Sequence, residues 1–599
     1  MRILTFIIFI SLALLRPAFA QEFTLSGYVQ DSKTGERLIG VNVYDPDLLV
    51  GTTTNVYGFF SLTLRSMITD SVMLVVSHIG YERWQRQLAT GQDYELNIEL
   101  TPRAIDIGSV TVVAENMETI EQKTAMSTIE IPIRQLKMVP ALLGEVDVIK
   151  SIQLLPGVQS GTEGSSGLYV RGGSPDQNLI LLDGAPVYNA SHLFGFFSVF
   201  NSDAVKNIKL TKGGFPARFG GRLSSVVEIN MKEGNNQEFN GQATFGLVAS
   251  RVMLEGPLKK GKSSYIISAR RTYADLMMKP FLKGDDSGGY YFTDLNAKVN
   301  HTVSSKNRLY LSLYAGLDKF YFRNKETYGA ETSQENGNLR WGNITSTLRW
   351  NNLITKKLFS NTTLIYSKYR FTVEVEEESK QRGNLTESYL LKYISGIEDW
   401  SARLDFDFLP NPSHSIKFGG AATTHKFSPG AAQFKTAGLD ISALDTLIAP
   451  TQEQSAIEAS LYLEDNLKLS DRLKVNAGIH GSMFSINGRQ YLSAEPRLSA
   501  RFLLGGWALK SSYATMTQYI HLLSNSGIGM PTDLWVPSTD RIKPQESRQI
   551  AIGLARSLKD NKYELSVESY HKTMDNLIGY KEGADFLGLD TDWQNKVET

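Results

Sequence analysis

The sequence predicts a mostly β protein in three parts: a short β-sandwich, a mixed α/β domain, and a long antiparallel sheet closed into a transmembrane barrel. Three observations predict it. The chain opens with an apolar leader, contains no cysteine, and after about Asn235 becomes a series of hairpins whose alternate residues are apolar. At 599 residues it exceeds the roughly 250–300 at which a single hydrophobic core stops growing, so several domains or one very large closed sheet are required.

Residues 1–20 read MRILTFIIFISLALLRPAFA, with a charge at Arg2, an apolar stretch from Ile3 to Leu15 and a small-x-small site at Ala18-Phe19-Ala20. This is a signal peptide removed before Gln21, because the apolar stretch is shorter than the ~20 residues that cross a bilayer. With Cys 0, disulfides and thiolate metal sites are excluded, and so is lipid attachment at the cleavage site. The mature chain has no apolar run of membrane-helix length, so only a closed barrel can satisfy its backbone in lipid. Lys+Arg 62 balance Asp+Glu 62, which leaves no overall field for nucleic acid.

Residues 21–101 alternate short strands with turns: FTLSGYVQD, then Ser32-Lys33-Thr34-Gly35, GVNVY, GFFSLTL, SVMLVVSHIGY and YELNIEL. This spacing predicts a small sandwich. The segment resembles the carboxypeptidase-regulatory-like (transthyretin-like) domain at the front of exported Bacteroidetes proteins, which implies a non-catalytic accessory module. His78 is followed by Ile79-Gly80-Tyr81, gives no zinc-ligand pair, and reads as a strand histidine. In the linker 102–120, the β-prone run Ser109-Val110-Thr111-Val112-Val113-Ala114 is either one more edge strand or an extended peptide that adds a strand to a partner's sheet.

Residues 121–233 mix the two periodicities. After Pro140, the residues Leu142, Leu143, Val146, Ile149 and Ile152 recur at helical spacing until Pro156-Gly157. GLYVRGGSPDQNLILLDGAPVY (167–188), VKNIKLTKGGFPARFGG and LSSVVEINM follow. From 234 to 599 the alternation is sustained. In NRLYLSLYAGLD, Leu309, Leu311, Leu313, Ala315 and Leu317 share one face, and Arg308, Tyr310, Ser312, Tyr314 and Asp318 the other. EASLYLEDNLKL and KVNAGIHGSM form a hairpin across Ser470-Asp471-Arg472.

No enzyme constellation emerges. VRGGSPDQ lacks the Gly-Lys-Ser/Thr ending and the following helix of a phosphate loop. Nothing ties Asp183 and Glu228 to a substrate as an acid/base pair. None of the 8 His forms H-E-x-x-H, and Ser224-Ser225 has no G-x-S-x-G context.

The run from LPGVQ at Leu155 through VRGG, LLDG, KGGFPARFGG and SSVVEI to Ile229 resembles the plug of a TonB-dependent outer-membrane receptor of the Bacteroidetes type. RWNN, LSAEPRLSARF and TQYIHLLSNSGIGMPTDLWVPSTDRIKPQES resemble barrel segments of the same receptors. The resemblance implies an outer-membrane transporter with a periplasmic N-terminal domain and a plug moved by an energy-coupling protein of the TonB type. Its partners would be that protein, outer-membrane lipid and a small ligand, with no nucleic acid, cofactor or metal. It implies that Ser109–Ala114 is the TonB box. It marks Arg171, Gly172, Gly173, Asp183, Gly184, Lys212 and Gly213 as plug motif and latch. Glu495 of Glu495-Pro496-Arg497 is then the wall acid for the plug's basic residues, unless Arg171 serves hydrogen bonds within the plug. An iron-siderophore is the default cargo. GGFPARFGGRLSS departs from the starch-utilisation (SusC-like) pattern, which argues against glycan import. A passive porin, a ligand-sensing signalling receptor and a SusC-like glycan or peptide importer are the alternatives. Plugged transporters have ~22 strands, more than the residues after Asn235 supply, so the chain is expected to be C-terminally incomplete.

Overall fold

The structure is a computed structural model that describes residues 22–65, 70–103, 120–122, 124, 126–138, 144–161, 167–192, 195–282, 286–438, 441–449, 453–523, 534–559, 563–582 and 593–599. The segment Ser109–Ala114 lies outside the described residues. Two units are distinguished, one made of the N-terminal module with Thr355–Leu358 and Phe408–Ser415, the other of the rest of the chain.

The N-terminal module is built from β1 (Glu22–Asp31), β2 (Asn42–Asp45), β3 (Val50–Thr53), β4 (Phe59–Arg65), β5 (Ser71–Ser77), β6 (Trp84–Ala89) and β7 (Tyr94–Leu100). One sheet has the order β4-β1-β7 and the other β3-β2-β5-β6, with β1 and β7 parallel. Between them lies a core that includes Leu25, Val29, Val43, Phe60, Leu62, Leu74, Val76 and Ile98. Each such fully buried side chain contributes about 1.5–3 kcal/mol. A Cβ at Gly27 would overlap the Leu96 carbonyl across the β1/β7 ladder, so only glycine lets these strands approach. His78 follows β5 rather than lying in it.

The second body starts with a small mixed domain. It has β8 (Thr128–Pro132), α1 (Val148–Gln153), β9 (Asn178–Leu182), β10 (Ala185–Pro186), β11 (Val205–Thr211) and β12 (Ser225–Met231). The sheet order is β10-β9-β12-β11-β8, with β9 and β12 parallel. Of the predicted helical run, Leu142 and Leu143 lie outside the described residues; within them, Asp147 caps the helix by accepting from Lys150 N at 2.9 Å, and the helix buries Val148, Ile149 and Ile152. Those residues join Val170, Leu182, Ile208, Leu210, Val227 and Ile229 in one core.

The remaining strands form the wall. They are β13 (Asn240–Phe245), β14 (Ala249–Lys259), β15 (Ser263–Thr272), β16 (Ser287–Ser304), β17 (Asn307–Tyr328), β18 (Glu331–Thr355), β19 (Leu358–Gln381), β20 (Asn384–Asn411), β21 (His414–Gly438), β22 (Ile441–Ala449), β23 (Gln454–Lys468), β24 (Leu473–Ile486), β25 (Arg489–Leu504) and β26 (Trp507–Gln518). An inner hairpin follows, β27 (Ile520–Leu523) with β28 (Leu534–Pro537), and then β29 (Gln545–Leu558) and β30 (Tyr563–Asp575). Among the described residues the wall is one 16-stranded antiparallel sheet, fewer than the ~22 strands of a complete plugged transporter. Its strands pair in chain order, with β13 and β30 at the two ends of the ladder and β22 attached to β21.

Burial along the wall is inverted relative to a soluble sheet. On β17 the polar face, Arg308, Ser312 and Asp318, is buried, whereas Leu309, Leu311 and Leu317 are exposed. On β29, Gln545, Ser547 and Gln549 are buried while Ile550, Ile552 and Leu554 face out. An apolar outer face with a polar inner face is what a lipid-facing sheet requires. No helix among the described residues is long and apolar enough to cross a membrane. The small mixed domain hydrogen-bonds to β14–β20, β23–β26, β29 and β30, so the wall curls around it as a plug. A second buried cluster, in which Trp535 of the inner hairpin meets Tyr188 edge-on at 4.9 Å, caps the plug.

Candidate functional site

The two glycine-bearing motifs of the plug are two tight turns. In Val170–Gly173, Arg171 (φ 48°) and Gly172 (φ 76°) are both left-handed, and Gly173 N donates to Val170 O at 2.9 Å. In Leu182–Ala185, Asp183 (φ 47°) and Gly184 (φ 89°) do the same between β9 and β10. Two consecutive positive φ values are the signature of the type I′ turn, which suits the strand twist and favours an Asp-Gly pair. Each turn therefore thrusts one charged side chain, Arg171 or Asp183, away from the plug sheet toward the wall.

Arg171 reaches Glu568 on β30 at 2.9 Å, donates to Ser127 Oγ at 2.5 Å, and lies 4.6 Å from the centre of the Tyr570 ring. A Cβ at Gly213 would stand 2.7 Å from its Nη1, and one at Gly173 would overlap Ser224, so both glycines make room for this arrangement. Lys212 extends to the Pro156 carbonyl at 2.5 Å. Burial lowers the pKa of Arg171, opposed by Glu568; burial also lowers that of Lys212, helped by the neighbouring Arg171.

The expected pairing of Arg171 with Glu495 is corrected. Glu495 on β25 binds Arg497, two residues along the same inward face, at 2.7 Å, with both side chains almost wholly buried. Arg497 in turn donates to the carbonyls of Pro216, at 2.7 Å, and Phe219 in the plug loop. Glu495 thus meets the plug through Arg497. The strand that faces the Arg171 turn is β30.

Asp183 is at the centre of a second cluster. Its carboxylate accepts from Lys298 on β16 at 2.8 Å, Ser312 on β17 at 2.6 Å and its own plug's Met231 N at 2.9 Å. Arg349 on β18 donates to its carbonyl at 2.5 Å. Burial would raise its pKa, but Lys298 and Arg349 outweigh that and hold the carboxyl below its usual range.

Next to it, and not anticipated from sequence, His192 of the plug stands between Asp294 of β16 at 2.9 Å and Asp318 of β17 at 2.6 Å, stacked on Phe292 at 3.9 Å. Burial opposes charge on this ring, yet the two aspartates push its pKa up to about 9. The lattice continues through Arg270, 2.6 Å from Asp294 and 3.6 Å from Glu145, to Arg251, 3.6 Å from Asp203. The signal for it was the charge on the inner wall face, notably Asp318, which demands a counter-charge in the bore. The plug's lone inward histidine carried no motif.

Taken together, a lipid-facing wall, a globular plug in its bore and charged fastenings between them define a plugged outer-membrane β-barrel. Three family descriptions match in succession: a CarboxypepD_reg-like domain over residues 25–112, the TonB-dependent receptor plug domain over 122–227, and the TonB-dependent receptor-like β-barrel over 263–596. The chain belongs to the TonB-dependent receptor family, whose members are outer-membrane transporters rather than enzymes. It is 27% identical over 252 residues to the TonB-dependent receptor SusC of Bacteroides thetaiotaomicron, a match that covers 39% of this chain but 24% of that protein's length. A probable TonB-dependent siderophore receptor, PirA of Acinetobacter baumannii, is 21% identical over 564 residues, covering 82% of this chain and 71% of PirA. Among solved structures, the Serratia marcescens hemophore receptor HasR, in complex with its hemophore and heme, is similar with a TM-score of 0.51 at 13% identity, over 77% of this chain and 74% of that one. At that identity the likeness is one of fold.

Proposed function

We propose that this protein imports a scarce ligand across the outer membrane by energy-coupled displacement of the plug, with an iron-siderophore as the cargo class. The observation that carries the reading is the plug itself, fastened in the bore by buried ion pairs that thermal motion alone rarely breaks. An outer membrane has no nucleotide supply, so the work arrives mechanically. The segment Ser109–Ala114 suits a handle that a periplasmic protein of the TonB type grips by main-chain hydrogen bonds. The long match to a siderophore receptor supports the cargo class.

The test is Val112→Pro, which removes a main-chain donor in the handle. Uptake of ferric siderophores by cells that rely on this receptor is expected to fall to background while its amount in the membrane is unchanged. Uptake that persists defeats the reading. A SusC-like glycan or peptide importer is the second reading, favoured by the 27% identity to SusC. Growth restored by oligosaccharide or peptide, but by no ferric siderophore, selects it.

A further inference from the structure

Where the plug loop 216–221 meets β20, β21, β23 and β24, the seam opens into a cavity of about 60 Å³, bordered by Arg218, Arg403, Asp405, Glu458 and His480. Most of these charges are already matched. Arg218 binds Glu228 at 2.8 Å, Asp405 accepts from the Tyr462 hydroxyl at 2.8 Å, and Glu458 faces His425 at 3.5 Å. Two groups are left over. Arg403 has no hydrogen-bond or ion-pair partner among the described residues, though it lies half-buried at the cavity's edge. His480 is 2% exposed, and its Nε2 has no hydrogen-bond partner among the described residues. That atom points to Gly220, which also lines the cavity and where any Cβ would overlap the ring.

The chemistry of these two groups is specific. His480 Nδ1 lies 2.8 Å from the Ala217 carbonyl oxygen, which only accepts, so Nδ1 carries a proton and, in the neutral ring, Nε2 presents a lone pair. An unsatisfied guanidinium calls for an oxyanion, and an unsatisfied lone pair calls for a hydroxyl or other donor. We propose that this seam cavity is a binding site for a small hydroxycarboxylate, with Arg403 holding the carboxylate and His480 Nε2 accepting from the adjacent hydroxyl. The proposal goes beyond the import reading, since the site stands on the wall beside the plug and its occupancy does not depend on what is transported.

The test uses the full chain purified in detergent, with L-lactate, acetate and glycerol as probes and saturation-transfer NMR as the readout. Lactate is expected to bind at least about tenfold more tightly than acetate, which lacks the hydroxyl, or glycerol, which lacks the carboxylate, as loss of one such hydrogen bond implies. Arg403→Gln abolishes lactate binding, and His480→Phe brings lactate down to the level of acetate. Ala421→Val narrows the same cavity without altering charge and weakens lactate binding as well, which guards against a variant that merely unseats the plug. The proposal is overturned if no probe binds, if lactate and acetate bind equally, or if Arg403→Gln binds lactate as the parent does. Because nothing is transported in this experiment, a failed uptake assay and a failed binding assay remain separate results.

Discussion

The plug meets two kinds of wall. On β14 to β18 it is held charge to charge, through Glu145, Asp183, His192 and Asp203 of the plug against Arg251, Arg270, Asp294, Lys298 and Asp318. On β23 to β25 the wall mostly grasps plug backbone: Glu464 accepts from Ala217 N at 2.6 Å, His480 donates to Ala217 O at 2.8 Å, and Arg497 donates to Pro216 O at 2.7 Å. Buried ion pairs add little net stability but are costly to break one partner at a time, so the first arc acts as an anchor. Side chain to backbone contacts tolerate local rearrangement, and the cavity lies on this second arc.

The sharpest way to break the comparison is Asp183→Asn, which leaves Lys298 facing a neutral amide in the bore. A buried pair with one charge removed costs about 3–5 kcal/mol, so hydrogen exchange of β9 and β12 should accelerate by orders of magnitude. Unchanged protection there would remove the anchor. Next comes pH. The folded pKa of His192, about 9, lies above its unfolded value, so its contribution is complete below about 6.5 and disappears as pH rises through 9. The contribution is on the order of 3 kcal/mol. Plug protection measured from pH 6 to 10 should decline over that window in the parent and lie flat in His192→Gln; parallel profiles would refute this.

On the second arc, Arg497→Gln should cost about 1–3 kcal/mol. Faster exchange should be confined to the loop around Pro216–Phe219, and Glu495→Ala should show the same pattern through Arg497. Exchange spreading into β9 would erase the distinction between the arcs. The smallest effect belongs to Glu568→Gln. Its side chain is 28% exposed, and solvent screening leaves about 1 kcal/mol, visible as a small rise in protease access near Arg171. A loss as large as that of Asp183→Asn would place the anchor on β30 instead.

Much of this was legible in sequence because its causes are local. Alternation along NRLYLSLYAGLD sets which residues face lipid. The wall partner of Arg171 was not legible. Which acid comes opposite it depends on register accumulated around the sheet, and Glu568 lies 397 positions away. Glu495 carried the right charge, but Arg497, two positions along on the same face, claims it. His192 was not legible for a related reason: its meaning comes from two aspartates on neighbouring strands, neither of which is near it in the chain. Among the described residues the predicted helical run begins at Val148, where Asp147 caps it.

The wall pairs its strands in chain order save where β23 joins β21 and β29 joins β26, whereas the plug sheet interleaves its own. Most wall strands therefore need only their predecessor as a template, and the sheet can grow largely one hairpin at a time. The plug, synthesised earlier, must secure distant pairings such as β8 with β11 before a cylinder encloses it. Biogenesis of this protein is thereby expected to be limited by how quickly a small globule matures inside a rapidly lengthening curtain, a race that engineered loosening of the globule would slow.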